Sequence, residues 1–266
     1  MNDIRITYVT ITYNAAKVLQ RTLDSVLEQD YPNIEHLIID GASTDDTLKL
    51  VDAYTARSNA AASEHQIQVV SEPDKGIYDA MNKGLRCLTG DYVCFLNAGD
   101  FLPSPDTARH IAEAATNTHH PTPNTQHPAV LYGDTDIVDG EGHFLHHRRL
   151  ASPEHLTWKS FRQGMLVCHQ AFYARADFAI ATPYDMQYRY SADVDWCIRV
   201  MKAAAKEEVP LLNLHMVVAN YTQEGQTTLH HRESLWERYR VMEHHYGRVQ
   251  TFLLHCWFAV RAFLKY

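Results

Sequence analysis

The chain lacks every cysteine pattern that marks a disulfide frame or a zinc site. Cys87, Cys94, Cys168, Cys197 and Cys256 stand singly, without a CxxC or any paired spacing. Their odd number and apolar settings, such as Cys94-Phe95-Leu96, predict reduced and buried thiols in a reducing compartment. An uncharged apolar run near the ~18 residues of a membrane span is also missing, and Met1 to Tyr8 has no charged-then-apolar leader layout. The expectation is a cytoplasmic protein. Positive charge is scarce: 24 Lys and Arg against 32 Asp and Glu leave a net charge of −8, which argues against nucleic acid as a partner. The 17 histidines temper this only at mildly acidic pH. What remains is an ordinary globular composition, 45% hydrophobic and 21% charged over 266 residues, long enough to bury a core without covalent staples.

The first hundred residues alternate strand and helix signals. Ile4 to Thr12 is β-branched and aromatic, and Ala15 to Gln29 carries Val18, Leu19, Leu23, Val26 and Leu27 at helical spacing. His36 to Asp40 reads as a second strand, and Ser43 with Asp46 three positions on resembles a helix start. Gln66 to Val70, Tyr78 to Leu88 and Tyr92 to Leu96 continue the pattern. Such alternation implies an α/β fold with a mostly parallel central sheet, in which ligands bind beyond the carboxyl ends of the strands. Further on, Thr116 to Pro128 reads as a polar surface loop, whose three histidines lack the acid or cysteine that a metal site needs. Leu131 to Val138 reads as a strand, Gly140-Glu141-Gly142 as a hairpin turn, Asp193 to Ala205 as a helix and Pro210 to Asn220 as another strand. Pro153 to Arg199 reads as a cleft-building segment.

Three acidic features fall at the functional edge of such a sheet. Asp40 ends the second strand before Gly41-Ala42-Ser43-Thr44-Asp45, where it would point into the crevice or cap the following helix. Asn97-Ala98-Gly99-Asp100 follows a fully apolar strand, so Asp100 is placed where the sheet meets solvent. One hard carboxylate there suits Mg2+ or Mn2+, and a plain turn fits the same residues. Ser191-Ala192-Asp193-Val194-Asp195-Trp196 opens a helix with two acids, which the helix dipole favours in any case. The flanking Tyr188, Tyr190 and Trp196 would wall off a sugar and exclude water around a base.

In order, Tyr8-Val9-Thr10-Ile11-Thr12-Tyr13-Asn14, Leu37-Ile38-Ile39-Asp40-Gly41-Ala42-Ser43-Thr44-Asp45, Asp74-Lys75-Gly76-Ile77-Tyr78-Asp79-Ala80-Met81-Asn82-Lys83-Gly84 and Gly90 to Asp100 together resemble the family 2 glycosyltransferases. The likeness spans roughly residues 4 to 225. It is nearest to members that build bacterial capsular or exopolysaccharide units. It implies the GT-A fold, Rossmann-like with flanking helices, a nucleotide-sugar donor, a divalent metal and inversion at the anomeric carbon. By the resemblance, Asp40 recognises uracil, and Thr12 and Tyr13 line the nucleotide pocket. Lys75 and Gly99 belong to the donor side, although Gly99 and Asn97 replace acids often found there. Met81 stands where many relatives carry arginine. Asp100 becomes the metal ligand, Asp193 the general base and Asp195 the fallback base. Trp196, Arg199, Asp134 and His169 become acceptor or sugar contacts, a structural histidine being the other reading of His169. The alternative is a non-catalytic nucleotide-sugar-binding partner in a polysaccharide assembly complex, against which the retained Asp100 and Asp193 speak.

Residues 228–266 hold six Lys or Arg and three Asp or Glu, so this segment is +3 and the rest −11. It reads as a C-terminal amphipathic helical extension of a glycosyltransferase domain over residues 1–227. Phe252, Leu253, Cys256, Val260, Phe263 and Leu264 share one arc, and Gln250, Thr251, His255, Arg261 and Lys265 lie opposite. That arc would pack on the parent domain or a homodimer partner, or touch the inner membrane surface with Trp257 at its border. The acceptor expected for such a protein is a saccharide or a lipid-linked saccharide.

Overall fold

In a computed structural model, which describes residues 4–61, 63–116, 127–223 and 231–263, β1 (Ile6–Thr12) is buried along its whole length. Both of its faces are covered, as the unbroken run of β-branched and aromatic residues requires. α1 (Leu19–Leu27), β2 (Ile34–Asp40), α2 (Thr47–Ala60), β3 (Gln66–Ser71), α3 (Ile77–Cys87) and β4 (Tyr92–Phe95) continue the expected alternation. The four strands pair in parallel in the order β3-β2-β1-β4. Their register sets Thr12 beside Asp40 and Asp40 beside Ser71, so three polar side chains meet at one sheet edge.

After α4 (Thr107–Thr116) the sheet turns mixed. β5 (Val130–Val138), β6 (Phe144–His147), β7 (Phe172–Arg175) and β8 (Leu211–Thr222) extend it to eight strands among the described residues. β7 lies antiparallel between β4 and β5, while β8 runs parallel to β5. The β5–β6 hairpin closes at the expected turn, where Asp139 accepts the N–H groups of Glu141 and His143. α5 (Ala176–Ala181) and α6 (Ala192–Lys206) cover the site end of the sheet. Most of the loop expected over Thr116 to Pro128, with His119 and His120, lies outside the described residues, while His127 bonds the Ala115 carbonyl at 3.0 Å.

Two helices complete the chain, α7 (His231–Tyr246) and α8 (Arg248–Phe263), joined at Gly247, whose φ of +84° suits glycine. The expected boundary at residue 228, and Leu264 and Lys265, lie outside the described residues. α7 is docked on the sheet domain: Val241 and Met242 are buried, and Tyr246 donates to the Trp158 carbonyl at 2.6 Å. α8 reverses one expectation. Its Thr251 is fully buried, and Leu254 and Phe258 pack against the core, while Val249, Phe252, Leu253, Trp257 and Val260 are exposed. The apolar arc therefore faces outward. No helix among the described residues is long and apolar enough to cross a membrane.

The approach of α3 to β1 depends on Gly84. A Cβ there would stand 2.6 Å from Val9 Cγ1, a short branched group in a sealed core that cannot swing away. Gly84→Ala gains about 1 kcal/mol of helix propensity but overpacks the layer by more. Urea unfolding is expected to show a net loss of about 1–2 kcal/mol; a stabilised variant would mean a looser interface.

Candidate functional site

The donor edge is built from loops that follow β1 and β2. Asp40 is fully buried and accepts four hydrogen bonds, from Thr12 Oγ1 (2.9 Å), Ser43 Oγ (2.5 Å), Ser43 N (2.9 Å) and Ser71 Oγ (2.7 Å). Burial pushes its carboxyl up, but these donors outweigh that and hold it below the ordinary carboxylate range. The expectation that Asp40 points into the crevice is thus corrected. A carboxylate offers about four acceptor positions, and here the protein fills them. Asp40 ties the ends of β1 and β3 and the loop after β2 together, and Thr12, nearly buried, is bound to it.

Asn14 completes this cradle, unsignalled in the sequence reading. Its side-chain oxygen accepts the N–H groups of Thr44 (2.8 Å) and Asp45 (3.3 Å), and its own N–H donates to Ser43 Oγ (2.8 Å). Both loops carry a non-glycine residue at positive φ, Asn14 at 48° and Ala42 at 62°, held there by this stapling. Tyr13 projects outward, 66% exposed. Gly41 lies against it: a Cβ there would be 2.5 Å from an Asp74 carboxylate oxygen and 3.4 Å from the Tyr13 ring. Lys75 is exposed, with no ion pair among the described residues.

Beyond β4, Gly99 has a φ of +101° and no free backbone polar group. Its N–H donates to Thr22 Oγ1 (2.9 Å), and its carbonyl accepts from Thr222 Oγ1 (2.7 Å). Asp100, placed at the solvent edge by the sequence reading, is instead 4% exposed. Its Oδ2 accepts from Gln170 Nε2 (2.8 Å) and its Oδ1 from the Thr222 N–H (3.0 Å), while burial pushes its carboxyl up to about 6. Each oxygen keeps a lone pair, and Asn97 Oδ1 nearby in sequence is buried without a partner. Hard oxygens of this kind fit Mg2+ or Mn2+ when water and donor phosphate complete the shell. No cluster of three or more His, Cys, Asp or Glu among the described residues could hold a metal by itself.

Asp193 opens α6 and is 17% exposed at its side chain. Tyr78 Oη donates to Oδ1 at 3.2 Å, and His169 Nδ1 meets Oδ2 at 3.1 Å. Asn97 Nδ2 donates to His169 Nε2 at 3.0 Å, which leaves the imidazole proton on Nδ1, facing the carboxylate. Burial pushes the Asp193 carboxyl up, but the His169 hydrogen bond and charge, with the charge of Arg238, outweigh it and hold it low. His169 therefore stands behind the acid as its partner.

The other residues expected on α6 serve the core. Trp196 is fully buried, stacked on Tyr184 and edge-on to Phe95 and Phe172, so it is not a sugar wall. Asp195, the fallback base, is 2% exposed with both oxygens paired, Oδ2 to Arg199 Nε (2.6 Å) and Oδ1 to His245 Nε2 (2.8 Å). Lys202 donates to His245 Nδ1 at 2.9 Å and so fixes the tautomer that faces Asp195. Arg199 also donates to the Pro183 carbonyl, which consumes it structurally. Asp134, half-buried, accepts the N–H and hydroxyl of Ser152 at 2.8 Å each, and ties that segment to β5. Sequence reasoning missed Glu237 of α7, whose carboxylate accepts the N–H groups of Arg189 (2.7 Å), Tyr190 (2.5 Å) and Ser191 (2.7 Å) just before Asp193. No local motif links residues so far apart.

The acids at the carboxyl edge of the parallel strands, the stapled loops after β1 and β2, and Asp193 beside His169 together make up the candidate site of this α/β fold. A family model described as glycosyl transferase family 2 matches residues 7–179, and the chain belongs to that family. It is similar to a PGL/p-HBAD biosynthesis glycosyltransferase from Mycobacterium bovis, 33% identical over 215 residues, which covers 80% of this chain and 75% of the relative. The amylovoran biosynthesis glycosyltransferase AmsB from Erwinia amylovora is 27% identical over 226 residues, 82% of this chain and 71% of AmsB. Among solved structures, S. aureus TarS 1–349 in complex with UDP gives a TM-score of 0.64 at 16% identity, over 90% of this chain and 64% of that one. The mannosyltransferase PcManGT from Pyrobaculum calidifontis, in complex with GDP-Man and Mn2+, gives 0.59 at 20%, again over 90% and 64%. These likenesses establish the GT-A fold.

The pairing of Asp195 yields a stability test. Burial pushes its carboxyl up, but the His245 hydrogen bond and Arg199 outweigh this and hold it low. A lowered carboxyl stabilises the fold above its unfolded value, near 3.9, and that stability is lost as pH falls through the folded value. Asp195→Asn is expected to cost about 3 kcal/mol at pH 7, with the gap to wild type closing below about pH 4. A constant gap across pH in denaturant melts would remove the ionic role.

Proposed function

We propose that the protein moves a sugar, with inversion, from a UDP-linked donor to a hydroxyl of a glycan or lipid-linked saccharide in cell-surface polysaccharide synthesis. The observation that carries this is Asp193, the accessible acid of the site, held by Tyr78 and His169 at the mouth of the sheet. The UDP and UDP-GlcNAc complexes of TarS and the amylovoran role of AmsB support the donor and pathway class.

In this mechanism Tyr13 stacks on the base, and the Asn14–Ser43 cradle holds the loops that receive ribose and phosphate. Lys75 approaches the diphosphate as a point charge. Asp100 and Asn97 would hold Mn2+ or Mg2+, which stabilises the negative charge of the departing diphosphate. Asp193 takes the proton from the attacking hydroxyl on the opposite face of the anomeric carbon, so the new linkage is inverted. The hydrogen bond from His169 Nδ1 keeps the carboxylate aimed. No covalent sugar intermediate is needed.

The exposed apolar face of α8, with Phe252, Leu253 and Trp257, would rest on the inner membrane surface.

Two measurements test the scheme. UDP binding by calorimetry is expected to be unchanged in Asp193→Asn within about twofold, whereas release of UDP from the UDP-sugar turned over by wild type falls about 100-fold or more. Near-wild-type turnover would reject the base. Full-length protein is expected to float with phosphatidylglycerol vesicles, and Phe252→Ser with Trp257→Ser to weaken this about tenfold or more. If the double variant changes only the oligomeric state, the face joins two copies of the chain.

A further inference from the structure

Away from the acids of the candidate site, three cations gather around one pair of rings. Trp158 and Tyr246 stack with ring centres 5.8 Å apart and planes 9° apart, and the Tyr246 hydroxyl donates to the Trp158 carbonyl at 2.6 Å. Lys202 Nζ lies 4.8 Å from the Trp158 ring centre, Lys159 Nζ 5.5 Å and Arg162 Cζ 5.9 Å. Arg162 Cζ is also 5.4 Å from the Tyr246 ring centre. Lys159 precedes the 3-10 turn Ser160–Gln163, and the Arg162 N–H donates to its carbonyl at 3.2 Å, so the two side chains leave the same side of the turn. Among the described residues none of the three cations enters an ion pair. Lys202 instead donates to His245 Nδ1, and Arg162 Nε is shut away from water without a hydrogen-bond partner. The faces of one indole do not offset three like charges held this close, so the patch calls for an anion.

The patch borders a groove. Tyr246, beside whose ring Arg162 lies, also lines an open apolar cavity of about 640 Å³ at the joint of α7 and α8, together with Val249, Leu253 and Leu254. The turn at 160–163 packs against α8, whose Val249, Phe252, Leu253 and Trp257 are exposed. Arg248, also in the lining, is already paired with Glu243 at 2.9 Å. Cations on one side of Tyr246 and an apolar groove on the other suit a molecule with a charged head and an apolar tail. We propose that Lys159 and Arg162 take the phosphate of an anionic lipid headgroup, whose chain lies in the groove along Tyr246 and Leu253. Guanidinium and ammonium are the groups that bind phosphate, and an indole with its polar edge suits the boundary between lipid and water. Lys202, held by His245, adds charge behind them. A lipid is favoured over a soluble phosphate because an apolar groove beside the cations offers a free ion nothing. This rests on the reading of α8 as the helix that meets the membrane, and it gives that contact a selectivity for lipid charge.

The test floats the full-length protein with vesicles of phosphatidylcholine alone and with vesicles in which about one-third is phosphatidylglycerol. The wild type is expected to bind the charged vesicles about tenfold more tightly. Lys159→Gln with Arg162→Gln should abolish that preference while UDP affinity stays within about twofold, and Lys159→Gln alone, at an exposed side chain, should lower it about threefold. Lys49→Gln with Arg57→Gln removes the same charge on α2 and should leave the preference intact; an equal loss there would reduce the effect to net charge and reject the site. If the wild type floats with both vesicles alike, or the Lys159–Arg162 variant keeps the preference, the headgroup site falls and the membrane reading of α8 stands. If the wild type floats with neither, that reading fails and takes the site with it. Inorganic phosphate that binds the wild type as tightly as the charged lipid, in an Arg162-dependent way, would name a soluble anion as the ligand and overturn the lipid.

Discussion

Three backbone N–H groups at residues 189, 190 and 191 converge on the one carboxylate of Glu237, and the catalytic end of the molecule depends on that contact. Ser191, the residue that enters α6, makes no side-chain cap, and its N–H and those of the two residues before it need an acceptor from elsewhere. A distant helix provides it. Because hydrogen bonds to a charged acceptor are the strong ones, the entry to α6 is fixed in direction as well as satisfied. Asp193 inherits that direction, and Tyr78 and His169 then meet its two oxygens from other elements. The C-terminal helices are thus joined to the helix that carries Asp193, although the charge break near residue 228 makes them look like an appendage.

The same economy governs the other acids. Glu35, Asp40, Asp100 and Asp195 are buried, and each gathers donors from two or more segments: Glu35 from Thr7 and Thr89, Asp40 from Thr12, Ser43 and Ser71, Asp100 from Gln170 and Thr222, Asp195 from Arg199 and His245. A buried carboxylate is tolerable only when its lone pairs are taken up, so these acids act as joints between loops. Asp193 differs in staying partly open. Its side chain is 17% exposed against 3% for Asp195, and that opening, rather than the number of bonds, leaves room for a hydroxyl.

That distinction explains which parts were legible in the sequence. The β1-to-β4 half was readable because each strand and helix carries its own period, and parallel order follows from the alternation. β6 and β7 are four residues each, too short for a period, and β7 enters the sheet antiparallel through contacts with β4 and β5 that no local pattern encodes. At the site, sequence position located the acids at the correct edge of the sheet. It could not say which way they point, since that is decided by donors such as Ser71 or Gln170 from other segments. Trp196 shows the same limit. Its spacing from Asp193 suggests a shared face, yet α6 turns that residue into the ring cluster of Phe95, Phe172 and Tyr184.

The two faces of the C-terminal hairpin now acquire a common logic. Its inner side supplies Glu237 to the entry of α6 and His245 to the Asp195 pair. Its outer side leaves Phe252, Leu253 and Trp257 uncovered. On the proposed reading, the element that meets the lipid surface is the one that also lines the acceptor side, and the donor cradle lies across the sheet at β1 and β2. A lipid-linked acceptor could then be engaged from the membrane while a water-soluble nucleotide sugar enters from the other side. The in-line reaction demands the same polarity, with attacking and leaving groups on opposite faces of one carbon.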